Sequence, residues 1–192
     1  LDITCVILSG GKSSRMGRDK SLLPFLKADS LAQYQYNRLK PYFKEVYLSS
    51  KQNKFDFLED KNLIKDTSNI HSPIVALNSI FSTLKDEVVF IITVDTPLVT
   101  IDTINKLVAE ANSYDITIAQ TKKVHNLCGV FRSTVLNKLD EMLKQDIHKV
   151  GYLIKNSKAK IVTFSNDDEF INLNFQEDYE RSLCIISKPN NT

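Results

Sequence analysis

The sequence predicts a single α/β domain, a Rossmann-like three-layer sandwich in which a mostly parallel sheet has helices on both faces. Apolar, β-branched runs alternate with segments of helical periodicity along the chain, which is the pattern of such a sheet. A chain of 192 residues can bury the core of one such domain. The most apolar run, EVVFIITVD at 87–95, is apolar on both faces and should therefore be a central parallel strand.

The first half of the chain supplies further strands and helices before that central run. Asp29 or Ser30 should cap the first helix, because both side chains can accept a hydrogen bond from the first turn. Ser72 should cap the second helix, with Pro73 at its first helical position. Strands are predicted at 3–9, 45–50 and 62–66, and helices at 28–43 and 72–85.

The second half of the chain continues the same alternation. Thr100 should cap a helix, and a break near Asp146 should divide a longer helical stretch. Strands are predicted at 115–121, 127–133 and 159–164, and helical segments at 100–113, 133–156 and 176–187.

The composition of the chain indicates which kinds of partner and which cellular compartment to expect. The net charge of +2 does not predict a surface for nucleic acid, and no apolar run approaches the roughly 20 residues of a membrane span. Cys5, Cys128 and Cys184 are odd in number and widely separated, which fits neither a disulfide framework nor a zinc site. The three histidines are equally dispersed, and no signal peptide is visible. We expect a cytoplasmic protein.

Glycines and basic residues are concentrated in LSGGKSSRMGRDK at 8–20. The stretch holds three of the five glycines, with four basic residues beside them: Gly10, Gly11, Gly17, Lys12, Arg15, Arg18 and Lys20. Glycine lets backbone N–H groups approach an anion, and a polyphosphate would offset the repulsion among the cations. The spacing matches neither the P-loop nor the dinucleotide fingerprint. A longer phosphate-binding loop and an ordinary βα turn with solvated charges both remain open.

Asp95 ends the predicted central strand and precedes Thr96-Pro97. Ligands of open α/β sheets bind beyond the carboxyl ends of the strands, on the side where the glycine-rich stretch also lies. Mg²⁺ prefers one or two carboxylates together with phosphate oxygens and water. Asp95 is therefore a candidate ligand for a Mg²⁺ held jointly with a nucleoside triphosphate. The alternative is that it caps the segment after Pro97.

The stretch 8–20 resembles the signature loop of the molybdenum cofactor guanylyltransferases, the MobA family, which reads Leu-Ala-Gly-Gly-x-Ser-x-Arg-Met-Gly-x-Asp-Lys. Only Ser9 departs, replacing alanine. The resemblance is strong in 3–26 and weaker in 88–98 and 170–178, and Asp95 stands at the aspartate of the family's Asp-x-Pro metal signature. It implies transfer of GMP from GTP to the terminal phosphate of molybdopterin, with Mg²⁺ as cofactor and pyrophosphate as leaving group.

The resemblance also implies roles for individual residues. Nucleotide-binding positions are Leu8, Ser9, Gly10, Gly11, Lys20, Ser49, Asp66 and Asp95, with backbone N–H groups of Ser9 to Gly11 directed at the nucleotide. Arg15, Lys20 and Asp95 would be catalytic, and Asp95 would hold the metal. Arg15, Asn172 and Asn174 would contact the acceptor. Residues 1–99 would form a nucleotide-binding half and residues 100–192 an acceptor-binding half.

Several positions depart from the family pattern. Ser49 replaces an asparagine, Ser72 and Ala76 replace glycines, and Phe175-Gln176 replaces Thr-Pro. Asp66 is retained and could accept hydrogen bonds from the guanine edge or ribose, or could be a surface turn residue. Lys122 and Lys123 could contact the acceptor or lie in a solvated loop.

Two rival functions stay open beside guanylyl transfer. One is a nucleotidyltransferase that uses CTP or another acceptor, such as a sugar phosphate. The other is a nucleotide-binding protein without turnover, which the departures from the family pattern keep possible. Candidate partners beyond the substrates are molybdoenzymes or other proteins of cofactor assembly.

Overall fold

The computed structural model describes residues 1–10, 19–68 and 70–187, and within them a sheet of seven strands is flanked by helices. The strands are β1 (Thr4–Leu8), β2 (Glu45–Ser50), β3 (Leu63–Lys65), β4 (Val88–Thr93), β5 (Ile116–Gln120), β6 (Val124–Arg132) and β7 (Ala159–Thr163). The helices are α1 (Leu31–Leu39), α2 (Pro73–Thr83), α3 (Ile101–Ala109), α4 (Leu136–Lys144), α5 (Val150–Lys155) and α6 (Gln176–Ser187).

The strands lie in the order β3-β2-β1-β4-β6-β5-β7. All neighbours pair in parallel except β6, which is antiparallel to both β4 and β5. The predicted α/β class with a mostly parallel sheet is confirmed, and β4 is central. We expected β4 to pair in parallel with both neighbours, but it is parallel only to β1 and antiparallel to β6. The short connection between β5 and β6 explains the exception, because a tight hairpin can join only antiparallel strands.

Each face of the sheet carries apolar side chains that pack against one layer of helices. In β1, Cys5 and Ile7 belong to the cluster that includes residues of α1, α3 and α6. Val6 and Leu8 belong to the opposite cluster, with residues of α2, α4 and α5. Successive residues of a strand point to opposite faces, so one buried strand serves both layers. The predicted helices on both faces are confirmed.

The predicted helix starts follow the capping chemistry. The hydroxyls of Ser30, Ser72 and Thr100 accept backbone N–H groups of the first turns of α1, α2 and α3. The predicted break lies at Asp146, which adopts a left-handed backbone with φ of 57° between α4 and α5. Within the described residues, no helix has the length and apolar character needed to cross a membrane.

Gly129 in β6 should not tolerate a larger residue. A Cβ there would lie 2.1 Å from the Thr117 carbonyl oxygen and 2.8 Å from Ile118 Cα, both on the neighbouring strand β5. We expect Gly129→Ala to lower the free energy of unfolding by at least about 2 kcal/mol, measured by chemical denaturation. Gly151→Ala is the control, because nothing lies within 4 Å of a Cβ at that position. Equal stability of the two variants would contradict the prediction.

Candidate active site

A cavity of about 450 Å³ opens at the carboxyl ends of β1, β2 and β4. Its walls include seven of the residues that the sequence assigned to the nucleotide: Leu8, Ser9, Gly10, Lys20, Ser49, Asp66 and Asp95. Residues at the ends of neighbouring parallel strands meet at one edge of the sheet, which is why segments far apart in sequence line one space. The described ends of the glycine-rich stretch, residues 8–10 and 19–20, thus border the same cavity as Asp95.

Three side chains from distant segments meet inside this region. The Lys20 Nζ lies 2.9 Å from Asp95 Oδ2 and 3.0 Å from Asn174 Oδ1, and donates to both. The side chains of Lys20 and Asp95 are each only 18% exposed. Partial burial weakens solvent screening, so this ion pair is stronger than one on the open surface. One cation, one carboxylate and one amide are therefore held together next to the cavity.

Backbone hydrogen bonds hold the turn that carries Asp95. Strand β4 ends at Thr93, so Asp95 lies two residues beyond the strand rather than at its end. The Thr96 hydroxyl and N–H both donate to the Thr93 carbonyl, and the Leu173 N–H donates to the Asp95 carbonyl at 2.8 Å. The alternative that Asp95 caps the following helix is wrong, because Thr100 caps α3.

The end of β1 is tied to β2 through Ser9. Its N–H donates to the Ser49 carbonyl at 3.0 Å and its hydroxyl donates to the same oxygen at 2.8 Å. The prediction that the Ser9 N–H faces the nucleotide is therefore wrong, because the sheet-like hydrogen bonding to β2 continues one residue past the strand. Gly10 remains on the cavity wall, and Gly11 and Arg15 lie outside the described residues.

Asp66 is half-buried in the cavity rather than on an open surface turn. It accepts a hydrogen bond from the Ser49 hydroxyl at 3.3 Å. Burial raises the pKa of the Asp66 carboxyl, and the hydrogen bond from Ser49 with the nearby charges of Lys51 and His71 offsets this only in part. Ser49 and Asp66 thus form one polar corner of the cavity wall.

The start of α2 forms another side of the cavity. Ser72 and Ala76, which replace family glycines, both line it. The Ser72 hydroxyl lies 2.8 Å from His148 Nδ1, and His148 Nε2 lies 2.8 Å from Asp146 Oδ1. A serine at position 72 therefore fixes the cap of α2 to the break between α4 and α5, a contact that glycine cannot make.

Lys54 contacts two residues of the cavity wall, Asp19 and Ser9, and sequence reasoning missed it. Its Nζ contacts the Asp19 carboxylate and donates to the Ser9 carbonyl at 3.3 Å. Burial acts to raise the pKa of Asp19, but hydrogen bonds from Lys54 and Ser21 outweigh it and lower that pKa. His71 and Leu127 line the cavity, and sequence reasoning did not predict them either. No local pattern marks Lys54, since it reaches the cavity wall through contacts with residues that lie 35 and 45 positions away in sequence.

The predicted acceptor residues are placed differently from one another. Asn174 contacts Lys20, and its N–H donates to the backbone carbonyl of Asn172 at 2.8 Å. Among the described residues, neither asparagine lines the cavity. The segment turns at this point rather than extends, so the extended backbone expected there is wrong, whereas the contact of both amides with the acceptor stays a prediction. Lys122 is 85% exposed beside Asp167, which agrees with a solvated loop.

Asp95 fits the donor chemistry of a hard divalent cation. Its carboxylate is largely shielded and borders a cavity large enough for phosphate oxygens to complete the coordination. Among the described residues there is no group of three or more His, Cys, Asp or Glu side chains placed to hold a metal ion. A metal ion at this position would be held jointly by Asp95 and by phosphate oxygens of the nucleotide.

The sheet order, the cavity at the strand ends and the cation–carboxylate pair define a nucleotide-binding α/β protein of the nucleotidyltransferase class. Residues 5–161 match the family model described as the MobA-like NTP transferase domain. The chain belongs to this family.

A curated relative supports that assignment, and solved structures share the fold. The chain is 44% identical over 185 residues to a molybdenum cofactor guanylyltransferase of Campylobacter jejuni subsp. doylei, covering 94% of this chain and 95% of the relative. Molybdopterin-guanine dinucleotide biosynthesis protein A from Archaeoglobus fulgidus shares the fold with a TM-score of 0.79 at 16% identity, over 97% of this chain and all of that one. A Mycobacterium tuberculosis H37Rv protein solved in complex with manganese shares it with a TM-score of 0.68 at 16% identity, over 94% and 96% of the two chains.

Proposed function

We propose that this chain transfers GMP from GTP to the terminal phosphate of molybdopterin and releases pyrophosphate. The observation that carries the proposal is the contact of Lys20, Asp95 and Asn174 beside the cavity at the ends of β1 and β4. The name of the Campylobacter relative and its 44% identity over most of both chains support the choice of substrates. We place the reaction in the cytoplasm.

The chemistry requires two anions to approach each other. A phosphate oxygen of molybdopterin attacks the α-phosphorus of GTP, the bond to the bridging oxygen of pyrophosphate breaks, and that oxygen keeps the electron pair. Repulsion between the phosphates is the main barrier, so positioning and charge neutralisation are the tasks of the protein. No general base is needed, because the attacking phosphate is already ionised near neutral pH.

Lys20 supplies positive charge at the point where these anions would meet. Its ammonium is oriented by Asp95 and Asn174, so little reorganisation is needed when phosphate charge develops. Arg15 is the proposed contact for the incoming phosphate, since a guanidinium matches a phosphate with two hydrogen bonds. Asp95 would hold Mg²⁺, and a bound magnesium ion supplies further charge that polarises the α-phosphate.

Ser49 and Asp66 would contact the nucleoside. Asp66 presents a carboxylate to the cavity, and carboxylate oxygens accept from the N–H groups of a guanine edge or from ribose hydroxyls. Ser49 orients that carboxylate through its hydroxyl. A pyrimidine offers a different set of donors, so this corner should discriminate among nucleotides.

The proposal is tested with purified molybdopterin, molybdate, Mg²⁺ and each nucleoside triphosphate in turn, following pyrophosphate release and the dinucleotide product. We expect GTP to exceed CTP and ATP in kcat/KM by at least about tenfold, equivalent to about 1.4 kcal/mol of discrimination. Faster turnover with CTP, or turnover with a sugar phosphate in place of molybdopterin, would identify the rival transferase. Tight GTP binding without pyrophosphate release would identify a binding protein.

A further inference from the structure

Two polar side chains of α1 lie behind the turn that carries Asp95. Gln35 is fully buried, and its Nε2 donates to the carbonyls of Thr93 and Val94 at 3.2 and 3.4 Å. Thr93 and Val94 are the two residues that immediately precede Asp95. A buried side-chain amide thus holds the backbone on the upstream side of the turn.

Arg38 holds the downstream side of the same turn. It follows Gln35 by three residues, so the two side chains lie on one face of α1. Its Nε donates to Gln35 Oε1 at 2.6 Å, and its Nη1 donates to the Val99 carbonyl at 2.8 Å. The linked pair therefore attaches to main-chain carbonyls on both sides of Asp95.

The placement of Arg38 is costly for a residue that serves packing alone. The acceptors it meets are a side-chain amide and a main-chain carbonyl, both neutral. Its buried Nη2 has no hydrogen-bond partner among the described residues. Burial lowers the pKa of Arg38, since the charged form loses its hydration there. An apolar side chain of similar length would fill this space at lower cost.

We infer that Gln35 and Arg38 are positioning residues that fix the carboxylate of Asp95 for the metal. The inference rests on the proposed function, in which Asp95 holds the divalent cation. The two side chains touch neither substrate nor metal and act through the carbonyls of Thr93, Val94 and Val99. Groups that orient a metal-ligating carboxylate typically change metal affinity about 10- to 100-fold when they are removed.

The test uses Arg38→Met, Gln35→Met and the double variant in the full chain. Methionine keeps much of the length of each side chain and removes its donors. Arg132→Met is the matched control, because Arg132 also donates to a main-chain carbonyl, that of Asn112 at 3.2 Å, but does so beside β6 and away from Asp95. Mn²⁺ affinity is measured by electron paramagnetic resonance with a non-hydrolysable GTP analogue, alongside kcat, KM for GTP and the melting temperature.

We expect each single variant to weaken Mn²⁺ binding about tenfold and to raise the Mg²⁺ concentration for half-maximal turnover by a similar factor. KM for GTP at saturating metal should change less than about threefold, and Arg132→Met should match the parent chain. The double variant should lose little more than either single variant, because the two side chains act as one unit.

Metal affinities within twofold of the parent in folded variants, or equal losses in Arg132→Met, would overturn the inference. If Arg38→Met fails to fold, Arg38→Lys decides the matter. It keeps the charge but replaces the two guanidinium nitrogens that reach Gln35 and Val99 with a single ammonium, so a weakening of Mn²⁺ binding is again expected. Asp95→Asn is assayed in parallel. Retained metal dependence in Asp95→Asn would reject the proposed role of Asp95, whereas its loss with an unaffected Arg38→Met would reject only the positioning role.

Discussion

Asp95→Ala is expected to abolish Mg²⁺-dependent pyrophosphate release while the chain stays folded. The carboxylate borders the cavity, is largely shielded from solvent and pairs with Lys20, so its loss removes the proposed metal ligand and the partner that orients the ammonium. Removal of one preorganised electrostatic group costs about 10²- to 10³-fold in kcat, and Asp95 would supply two functions at once. We therefore expect a fall of at least about a thousandfold.

Two further variants show whether the loss comes from the negative charge of Asp95, from the size of its side chain, or from a general effect of removing a carboxylate. Asp95→Asn keeps the size of the side chain and an acceptor for Lys20 but cannot supply a negative charge, so it should be almost as inactive as Asp95→Ala. Asp102→Ala removes an exposed carboxylate from the first turn of α3 and should leave turnover unchanged. Circular dichroism checks that each variant is folded. Turnover by Asp95→Ala above a tenth of the parent rate would contradict the assignment of Asp95.

The sequence predicted those parts of the fold whose causes are local. The bounds of β2 and α6 agree with the predicted segments 45–50 and 176–187, and the caps at Ser72 and Thr100 are confirmed. Capping and apolar periodicity act over a few residues, so they can be read without the rest of the chain. Strand direction is less local, because the apolar pattern of β6 is the same whichever way the strand runs.

Residues of the site could be predicted from the sequence only where they belong to a recognisable motif. Lys20 and Asp95 belong to recognisable segments and lie together in the structure. Lys54, Gln35 and Arg38 reach the same region from segments without a signature. Each donates to a main-chain carbonyl that only the folded chain brings near. A spacing of two residues predicts a shared face only if the backbone is extended, and the backbone turns between Asn172 and Asn174.

Lys20→Met is expected to lower kcat/KM by about 30- to 150-fold, corresponding to roughly 2–3 kcal/mol of transition-state stabilisation. Methionine fills much of the same space but removes the charge that would neutralise the phosphates. It also leaves the shielded carboxylate of Asp95 without this cation. Lys20→Arg should recover only part of the activity, because a planar guanidinium cannot reproduce the contacts of a compact ammonium to Asp95 and Asn174.

Lys61→Met is a control that makes the same substitution in an exposed ion pair away from the cavity. Lys61 pairs with Glu59 at 2.8 Å, nearly the distance of the Lys20–Asp95 pair, but the two side chains are 74% and 72% exposed. An exposed pair contributes little, so this variant should keep the parent activity and stability. Steady-state rates of pyrophosphate release for the three variants decide the matter. A loss smaller than threefold in kcat/KM for Lys20→Met, or an equal loss in Lys61→Met, would show that the ammonium of Lys20 does not act on the phosphates.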